Sequence, residues 1–496
     1  MPMTLSSNIA LLSICLAALM FGLEISSVPV ILPILEAELG ATIGDMQWIM
    51  SAYTIGCAIV LIISGSLADR YGRKLVFSAA IGLFGLTSLA CGLSTGVTAL
   101  IVSRFLQGVA GGAMLTCLVT ILNVQFPDGP ARARAFSTWG VVFGAGLGFG
   151  PVVGAVTLEY LDWQWIFLVH AVLSVPTLAL VFASVDESSD PVAKRLDLWG
   201  MIALAATIFS ATYLVQQVQV IGLNSMAGIG LAVMTISGII AFGAIEKSVT
   251  TPMVDFSVFR ARKFSGAICG AMGMNMSFWP FIIYYPLYLE VGLCFSSLSM
   301  GMMLMACTVP TILAPPLGEK MVVRFGVEAV IPAGLFIIGL GFLLFKLGSL
   351  VEQPTWLTLL PGSIIAGVGI GITNTPVSNA STGSVPPGQA GMASGIDMSA
   401  RLVTLAIVIA AMGALLVAGI ANALGQGAAH VQQASEALAA GNIAQVVNLL
   451  PDLTISAARA AFVSGFSWVT VFATVCAWAF AVLSCFLFRT FSTVKA

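Results

Sequence analysis

The stretch that decides the fold is Gly65-Ser66-Leu67-Ala68-Asp69-Arg70-Tyr71-Gly72-Arg73-Lys74, which separates two long apolar runs. It is strongly charged, although only 8% of the residues in the chain are charged. A turn this polar cannot lie in hydrocarbon, so it marks one face of a membrane. Gly65 and Gly72 let the backbone bend sharply without steric cost. Asp69 is placed to meet Arg73, or the positive N-terminus of the helix that follows.

Composition places most of the remaining chain in lipid. Of the 496 residues, 59% are hydrophobic, and the mean hydropathy is +1.04. Soluble domains average about 25% charged residues, so this balance indicates a polytopic membrane protein. The basic residues are dispersed among loops, which argues against nucleic-acid binding. The nine cysteines lie singly in apolar runs and are interpreted as small hydrophobes, so we expect no metal and no cofactor.

Fourteen apolar runs approach the roughly 20 residues that span a bilayer. Their approximate limits are 8–33, 45–67, 74–93, 97–121, 135–158, 163–184, 196–217, 223–245, 264–289, 297–318, 327–347, 356–378, 391–418 and 461–488. With fourteen spans, all of the 19 basic residues except Arg104, Lys346, Arg401 and Arg459 fall on the side that holds both termini. The positive-inside rule therefore predicts cytoplasmic termini.

The fold class predicted from this pattern is all-α, with two six-helix bundles and two inserted helices. A weak echo of the opening stretch occurs at 318–326, where Arg324-Phe325-Gly326 matches Arg70-Tyr71-Gly72 and the acid has become Val323. Such an internal repeat is typical of secondary transporters. The predicted domains are 1–185 (first bundle), 186–262 (inserted helices with linkers) and 263–496 (second bundle). The last contains a long outer loop at 419–460, in which we expect a short surface helix.

Glu24 is the main candidate for proton chemistry, because it stands in the middle of the first span. An ionised carboxylate at the bilayer centre costs about 2.5 to 3.5 kcal/mol on insertion scales. Desolvation favours the neutral acid, which suits a group that binds and releases a proton. Pro29 and Pro33 interrupt the same helix where a cavity would need irregular backbone. The alternative is a neutral carboxyl group that only links two helices by a hydrogen bond.

Further polar residues also lie within or near the spans. Arg104 either acts with a carboxylate or anchors a neighbouring carbonyl group. Asp397 and Arg401 are four residues apart and share one helix face. They either neutralise each other, or Asp397 supplies a second proton site or a carboxylate for a cationic substrate. His170 forms no cluster in the sequence with the other histidine, His430, and neither is assigned a role.

The ninth run carries a set of rings that could bind substrate: Trp279, Phe281, Tyr284, Tyr285 and Tyr288. A ring over a cation contributes about 0.5 to 2 kcal/mol. The alternative is a belt of aromatic residues at the membrane interface. Arg401 is grouped with these rings as a candidate substrate contact.

The fifth run is rich in glycine. Gly140, Gly144 and Gly148 form one stripe, and Gly150 and Gly154 form another. Stripes of small residues let helix backbones pack closely. The pattern therefore predicts a tight helix interface on this run.

Together these features resemble the major facilitator superfamily and, within it, the fourteen-helix drug:proton antiporters. The pattern G-x-L-A-D-R-x-G-R-K is similar to the signature loop after the second helix of that superfamily. There the acid and arginines form a charge cluster that helps to hold the outward-open state. The resemblance thus implies a gating role for Gly65, Asp69, Arg70, Gly72 and Arg73.

Two further motifs carry the resemblance. The R-x-x-Q-G pattern that begins at Arg104 matches the fourth helix of the superfamily, whose arginine is linked to proton coupling. This implies a proton-coupling role for Arg104, with Glu24 as its expected partner. Asp397 looks like an addition of this sequence and joins the proton-coupling candidates as a second proton site. The G-P-x-x-G core resembles the antiporter motif of exporters, and it marks Gly146, Gly150, Pro151 and Gly154.

The similarity extends over the whole chain, through Trp48, Tyr53 and the stretches 163–167, 196–200, 360–362, 367–371 and 391–395. Four residues depart from the family pattern. Glu24 replaces an aspartate, Pro29 an asparagine, Gln164 an arginine and His170 an asparagine. These departures bear on the substrate more than on the fold.

The resemblance implies a proton-coupled secondary transporter of a bacterial inner membrane that exports amphipathic or cationic small molecules. We expect a monomer, with the need for a periplasmic adaptor left open. A dedicated metabolite exporter and a proton-coupled importer of the same superfamily are the alternatives. No G-K-[ST] loop is present to hold nucleotide phosphate. No polar catalytic constellation indicates an enzyme, and no soluble domain indicates a sensor.

Overall fold

The structure is a computed structural model that describes residues 5–126, 129–189, 197–222, 225–249, 254–295, 297–351, 354–425 and 430–489. Within these ranges the regular structure is helical and no strand occurs. The first-bundle helices are α1 Leu5–Ser27, α2 Leu32–Leu39, α3 Ile43–Tyr71, α4 Arg73–Gly92, α5 Val97–Gln125, α6 Pro130–Tyr160 and α7 Trp165–Ser184. The predicted linker at 186–197 falls partly at 190–196, outside the described residues.

The chain then continues through α8 Leu198–Ile221, α9 Met226–Ser248, α10 Arg262–Leu287, α11 Ser297–Leu313, α12 Pro315–Phe325, α13 Val327–Ser349, α14 Trp356–Gly383, α15 Ala390–Leu424, α16 Val431–Ala439, α17 Ile443–Leu449 and α18 Ile455–Arg489. Short 3-10 turns lie at Val28–Ile31, Phe256–Arg260 and Pro387–Gln389, and a π-helical turn lies at Tyr288–Gly292. The two short helices α16 and α17 occupy the long outer loop.

The number of spans agrees with the prediction from the sequence. Thirteen helices among the described residues are long and apolar enough to cross a membrane. Helices α11 and α12 meet at a bend of 42° and together form one further span, which gives fourteen. A proline stands at the bend, because Pro315 opens α12 and a proline is readily accepted in the first turn of a helix.

Local chemistry explains where the signature stretch turns. Helix α3 begins at a capping box in which Thr42 and Asp45 satisfy each other's backbone N–H groups. It ends at Gly72, whose φ of 114° is a conformation that favours glycine. The Glu187 carboxylate accepts hydrogen bonds from the backbone N–H groups of Lys74 and Leu75, at 3.1 Å each. The N-terminus of α4 is therefore capped by Glu187. Of the two partners expected for Asp69, the structure shows Arg73, whose Nη2 atom lies 2.7 Å from Asp69 Oδ1.

The two largest clusters of buried apolar side chains divide along the chain. One draws on residues 10–185 together with Met398, and the other on residues 267–488. Two separate cores are what a pair of helix bundles requires. The domain limits near 185 and 263 remain predictions.

Helices α8 and α9 pack on each other and lie beside the first bundle. Tyr213 of α8 stacks on Trp48 of α3 with their ring centroids 5.4 Å apart. The most apolar window of α9 is only 6% buried, whereas that of α5 is 83% buried. Helix α5 is thus an interior helix, and α9 faces lipid over most of its surface.

Close helix packing provides a first test. A Cβ atom added at Gly56 of α3 would lie 2.3 Å from the Phe105 carbonyl oxygen of α5, whereas nothing lies within 4 Å of one added at Gly230 of α9. We predict that Gly56→Ala lowers the thermal unfolding midpoint of the purified protein, because overpacking costs about 1 to 3 kcal/mol. The matched variant Gly230→Ala should unfold at or slightly above the wild-type temperature. Equal midpoints for the two variants would contradict this packing.

Candidate functional site

A buried ion pair joins the first and fourth spans. Arg104 Nη1 of α5 donates a hydrogen bond to Glu24 Oε1 of α1, and neither side chain is more than 1% exposed. The same Nη1 donates to Gln107 Oε1 at 2.7 Å, and Arg104 Nε donates to the Ile49 carbonyl oxygen at 3.2 Å. The structure therefore brings together two residues that are 80 positions apart in the sequence.

The surroundings of this pair are partly polar and partly aromatic. Gln107 Nε2 donates to Ser88 Oγ at 2.8 Å, which extends the network to α4. The Arg104 guanidinium lies 4.4 Å from the ring centroid of Tyr53 and 5.7 Å from that of Phe167. In such a site, removal of one charge leaves the other buried without compensation, at a cost of several kcal/mol.

His170 also lies beside Glu24, although sequence reasoning assigned it no role. Its Nδ1 atom lies 3.2 Å from Glu24 Oε2 and 2.9 Å from the Ile166 carbonyl oxygen. The side chain is 1% exposed and belongs to α7. Its proximity to Glu24 depends on the packing of α1 against α7, which the local sequence does not reveal. The available signal was a polar residue in the middle of a span, at a position where the family pattern has asparagine.

A central cavity of about 180 Å³ lies between the two bundles. Five aromatic side chains line it: Phe21, Tyr53, Trp139, Phe143 and Trp279. Polar lining residues include Thr54, Asn275, Asn374 and Arg401. Tyr53 borders both the cavity and Arg104, so its ring lies between the cavity and the buried ion pair.

Glu24 itself is not among the residues that line the central cavity, although Phe21 and Ile25 on the same helix are. Its carboxylate points into the first bundle, toward α5 and α7, and not into lipid. The predicted proton carrier is therefore placed beside the cavity and behind Tyr53.

Arg401 reaches the central cavity, whereas its partner Asp397 does not line it. Arg401 Nε donates to Asp397 Oδ1 at 3.0 Å, and Arg401 Nη1 donates to Asn374 Oδ1 at 2.6 Å. Asp397 is 0% exposed and also accepts from Ser378 Oγ at 3.0 Å. The two residues form a neutral pair, so Asp397 offers no free carboxylate to a cationic substrate.

The five rings of the ninth span separate into two groups. Trp279 lines the central cavity, and Tyr284 lines a second cavity. Phe281, Tyr285 and Tyr288 are buried in the core of the second bundle. There they pack against a cluster that includes Phe345 and Phe466. These three rings line neither of those two cavities. The sequence showed which helix carries them but not which face is buried.

The second cavity, of about 650 Å³, lies between α10, α15 and α16. Helix α15 begins beside the signature stretch and ends at Leu424, so this cavity lies toward the opposite side of the protein. We call the side that carries Gly65–Lys74 the motif face. The larger cavity is thus on the face opposite to it.

At the motif face, Asp69 joins the two bundles. Its carboxylate accepts hydrogen bonds from the backbone N–H groups of Gly391 and Met392, at 3.0 Å each, in the first turn of α15. Arg73 Nη2 donates to Asp69 Oδ1 at 2.7 Å and also to the Pro387 carbonyl oxygen. A carboxylate at a helix N-terminus is stabilised by the helix dipole. The predicted gating residues Asp69 and Arg73 therefore contact the second bundle directly.

The glycines of the signature stretch allow this approach. A Cβ atom at Gly65 would lie 2.2 Å from the Gly391 carbonyl oxygen, so a side chain there would force the bundles apart. Gly72 provides the turn and faces the Glu187 carboxylate. Arg70 lies over the ring of Tyr71, with its guanidinium carbon 5.4 Å from the ring centroid, and points along its own helix.

Further hydrogen bonds close the same face. Asn123 Nδ2 donates to the Thr382 carbonyl oxygen at 3.0 Å, and Arg132 Nη2 donates to that of Asn379 at 3.3 Å. Ser394 Oγ of α15 donates to the Thr116 carbonyl oxygen of α5 at 3.0 Å. The bundles are therefore held together at the motif face.

The glycines of α6 form two stripes with different neighbours. Gly146, Gly150 and Gly154 face α1, where Ser26 Oγ donates to the Gly146 carbonyl oxygen at 3.1 Å. Gly140, Gly144 and Gly148 face the second bundle, with neighbours that include Thr375 and Ile312. Pro151 is exposed within the helix. Helix α6 thus contacts both the helix that carries Glu24 and the opposite bundle.

Comparison with known proteins settles the family. Residues 14–407 match the profile described as Major Facilitator Superfamily. The chain belongs to this superfamily.

Relatives within the superfamily cover most of the chain. The Multidrug resistance protein Stp of Mycobacterium tuberculosis is 26% identical over 84% of this chain and 77% of its own length. The Tetracenomycin C resistance and export protein of Streptomyces glaucescens is 27% identical over 83% and 76%, respectively. The Multidrug efflux pump LfrA of Mycolicibacterium smegmatis is 26% identical over 94% and 93%.

Solved structures share the fold. The human organic anion transporter MFSD10 superposes with a TM-score of 0.62 at 15% identity, over 98% of this chain and 100% of that one. The proton:xylose symporter XylE superposes with a TM-score of 0.62 at 13% identity, over 96% and 94%. These two proteins are named for different substrates, organic anions and xylose, so the shared fold alone does not set the substrate.

In a major facilitator, two bundles move against each other around a central site. Closure at the motif face corresponds to one end state of that motion. The central cavity is small beside ligand pockets of about 300 to 1,000 Å³, so a drug-sized molecule needs the bundles to open further.

The Asp69 contacts generate a second prediction. We expect Asp69→Asn to weaken the closed motif face, because hydrogen bonds to a charged group contribute about 1.5 to 3 kcal/mol each. Spin labels at the motif-face ends of α3 and α15, on a cysteine-free background, should then show a larger fraction of long distances. The control is Glu328→Gln, since Glu328 and Lys263 form an exposed pair at 3.6 Å, which contributes little. An unchanged distance distribution in Asp69→Asn would remove the gating role.

Proposed function

We propose that the chain is a proton-coupled antiporter that exports amphipathic small molecules by alternating access. The observation that carries the proposal is the buried pair of Glu24 and Arg104, separated from the central cavity by the single ring of Tyr53. The relatives named for drug or antibiotic resistance support the same direction of transport.

The proton would act through the ion pair. When Glu24 binds a proton it becomes neutral, and Arg104 loses its charged partner in a buried site. The guanidinium then keeps its hydrogen bonds to Gln107 and the Ile49 carbonyl oxygen and its cation–π contact with the ring of Tyr53, whose centroid is 4.4 Å away. Tyr53 also lines the cavity, so a change in its position alters the space that the substrate occupies. Proton binding and substrate binding would thus compete through one ring.

Helix α6 would carry this local change to the bundle interface. Its glycine stripes contact α1 on one side and the second bundle on the other. A shift of α1 on proton binding would therefore displace α6, which contacts the second bundle. The Gly146, Gly150 and Gly154 stripe supports export over import, since it is the part that resembles the antiporter motif.

We place the motif face in the cytoplasm of a bacterial inner membrane, with both termini on that side, because the basic residues concentrate there. A closed motif face then corresponds to the state that releases substrate outward and takes up protons. The cycle needs only one chain, so we propose a monomer.

The central cavity favours neutral or weakly charged amphipathic compounds over permanent cations. Rings dominate its lining, and Arg401 is its charged residue, already paired with Asp397. No carboxylate lines this cavity among the described residues. A cation would depend on ring faces alone, at about 0.5 to 2 kcal/mol each.

Proton coupling is tested with Glu24→Gln in reconstituted vesicles. We predict that wild-type protein moves protons when an amphipathic substrate is added, and that Glu24→Gln reduces this proton movement about tenfold or more, because an amide cannot carry a proton at this position. Glu290→Gln, a change at an exposed acid, should behave as wild type. Substrate movement without proton movement in the wild-type protein would refute antiport.

Substrate contact is tested at Trp279. We predict that Trp279→Ala raises the concentration of a neutral aromatic dye needed for half-maximal transport about three- to tenfold, because one ring of the cavity is lost. Trp199→Ala is the matched control, since Trp199 is 74% exposed in α8. A matched cationic dye should compete less well than the neutral one. Stronger competition by the cation would assign the site to cations instead.

A further inference from the structure

The environment of His170 fixes which of its nitrogens carries hydrogen. Its Nδ1 atom lies 2.9 Å from the Ile166 carbonyl oxygen, four residues earlier in α7, and 3.2 Å from Glu24 Oε2. Both neighbours are acceptors, so Nδ1 must carry the hydrogen. The Nε2 atom of the neutral ring then holds a lone pair. Nε2 is buried and has no hydrogen-bond partner among the described residues.

Few other charged or titratable groups face this ring. Glu24 faces it from α1, and Arg104 of α5 acts through that carboxylate. Helix α4 contributes Cys91, beside Gln107, and the edge-on ring of Phe84 with its centroid at 5.9 Å. Helix α6 carries Glu159 and Tyr160, which are exposed at its C-terminal end. Helix α7 (Trp165–Ser184) itself contributes no titratable residue other than His170.

The charges determine where an added proton goes first. Protonation of Glu24 would leave the Arg104 cation buried without a counter-charge, which is costly. Protonation of His170 instead places a second cation beside the Glu24 carboxylate, which stays ionised and contacts both Arg104 and His170. The arrangement of Glu24 between Arg104 and His170 therefore favours the imidazole as the first acceptor.

We propose that His170 is the proton-accepting group of the coupling site and passes the proton to Glu24. Nε2 binds a proton delivered by water, and Nδ1 gives up its proton to Glu24 Oε2, 3.2 Å away. One proton enters and one moves on, so the histidine ends neutral with hydrogen on Nε2. Glu24 ends as the neutral acid, and Arg104 is released from its ion pair. This inference rests on the proposed proton coupling and adds a residue to it.

The transfer reverses readily, as a transport cycle requires. After it, the Nδ1 lone pair would face the Ile166 carbonyl oxygen, an acceptor facing an acceptor. That contact favours return of the Glu24 proton to Nδ1. His170 is therefore a relay, and the proton does not stay on it.

The test uses the two histidines of the chain as a matched pair. We predict that His170→Asn shifts the pH midpoint of substrate-driven proton movement toward acid by about one unit, a tenfold higher proton concentration, because the proton must then bind Glu24 directly. His430→Asn should leave the midpoint unchanged, since His430 is exposed and lies in the outer segment. An unchanged midpoint in His170→Asn would overturn the relay.

A second measurement does not depend on transport. In His430→Asn protein labelled with ¹⁵N-histidine, the remaining ring should show the Nδ1–H form at alkaline pH and protonate at Nε2 on acidification. An Nε2–H form at alkaline pH would overturn the relay even if antiport holds. If vesicles show no proton movement in wild type, the proposed function fails, and this spectrum still reports whether His170 accepts the proton.

Discussion

The central interaction of the structure is an ion pair between two charged side chains that are both buried. A carboxylate and a guanidinium are buried together at Glu24 and Arg104, where neither can be hydrated. Each compensates the other, and Gln107 and the Ile49 carbonyl oxygen accept further hydrogen bonds from the arginine. A pair of this kind is weak evidence for stability, because apolar residues would often serve the fold equally well. A change of charge during function, as in the proposed proton coupling, would give it a role beyond stability.

In the proposed cycle, the helix contacts of the rest of the chain would convert that local charge change into movement. Helix α1 packs on α6 through glycines, and α6 packs on the second bundle through a different set of glycines. At the motif face the connection is polar, because the Asp69 carboxylate binds the N-terminus of α15. A two-state element needs surfaces that can slide and a contact that can break. The glycine-lined faces of α6 are such surfaces, and the polar contact of Asp69 with α15 is such a contact.

Sequence reasoning predicted the helices and their number because each span is set by local hydropathy. It also placed Glu24 with Arg104 and Asp69 with Arg73, which the structure brings together. It did not predict that Asp69 also binds the N-terminus of α15, because Gly391 is 322 residues away in the sequence. It missed His170 for the same reason. It did not predict that Phe281, Tyr285 and Tyr288 are buried in the second bundle, because the sequence does not show which face of a helix meets the cavity.

Two departures from the family pattern explain each other in the structure. The family has aspartate where this chain has Glu24, and asparagine where it has His170. A glutamate extends one carbon–carbon bond further than an aspartate, about 1.5 Å. That reach lets one carboxylate contact Arg104 on α5 and His170 on α7 at once, whereas a carboxylate withdrawn by that distance would lose one of them. The longer acid and the imidazole therefore form a single contacting unit beside the ion pair.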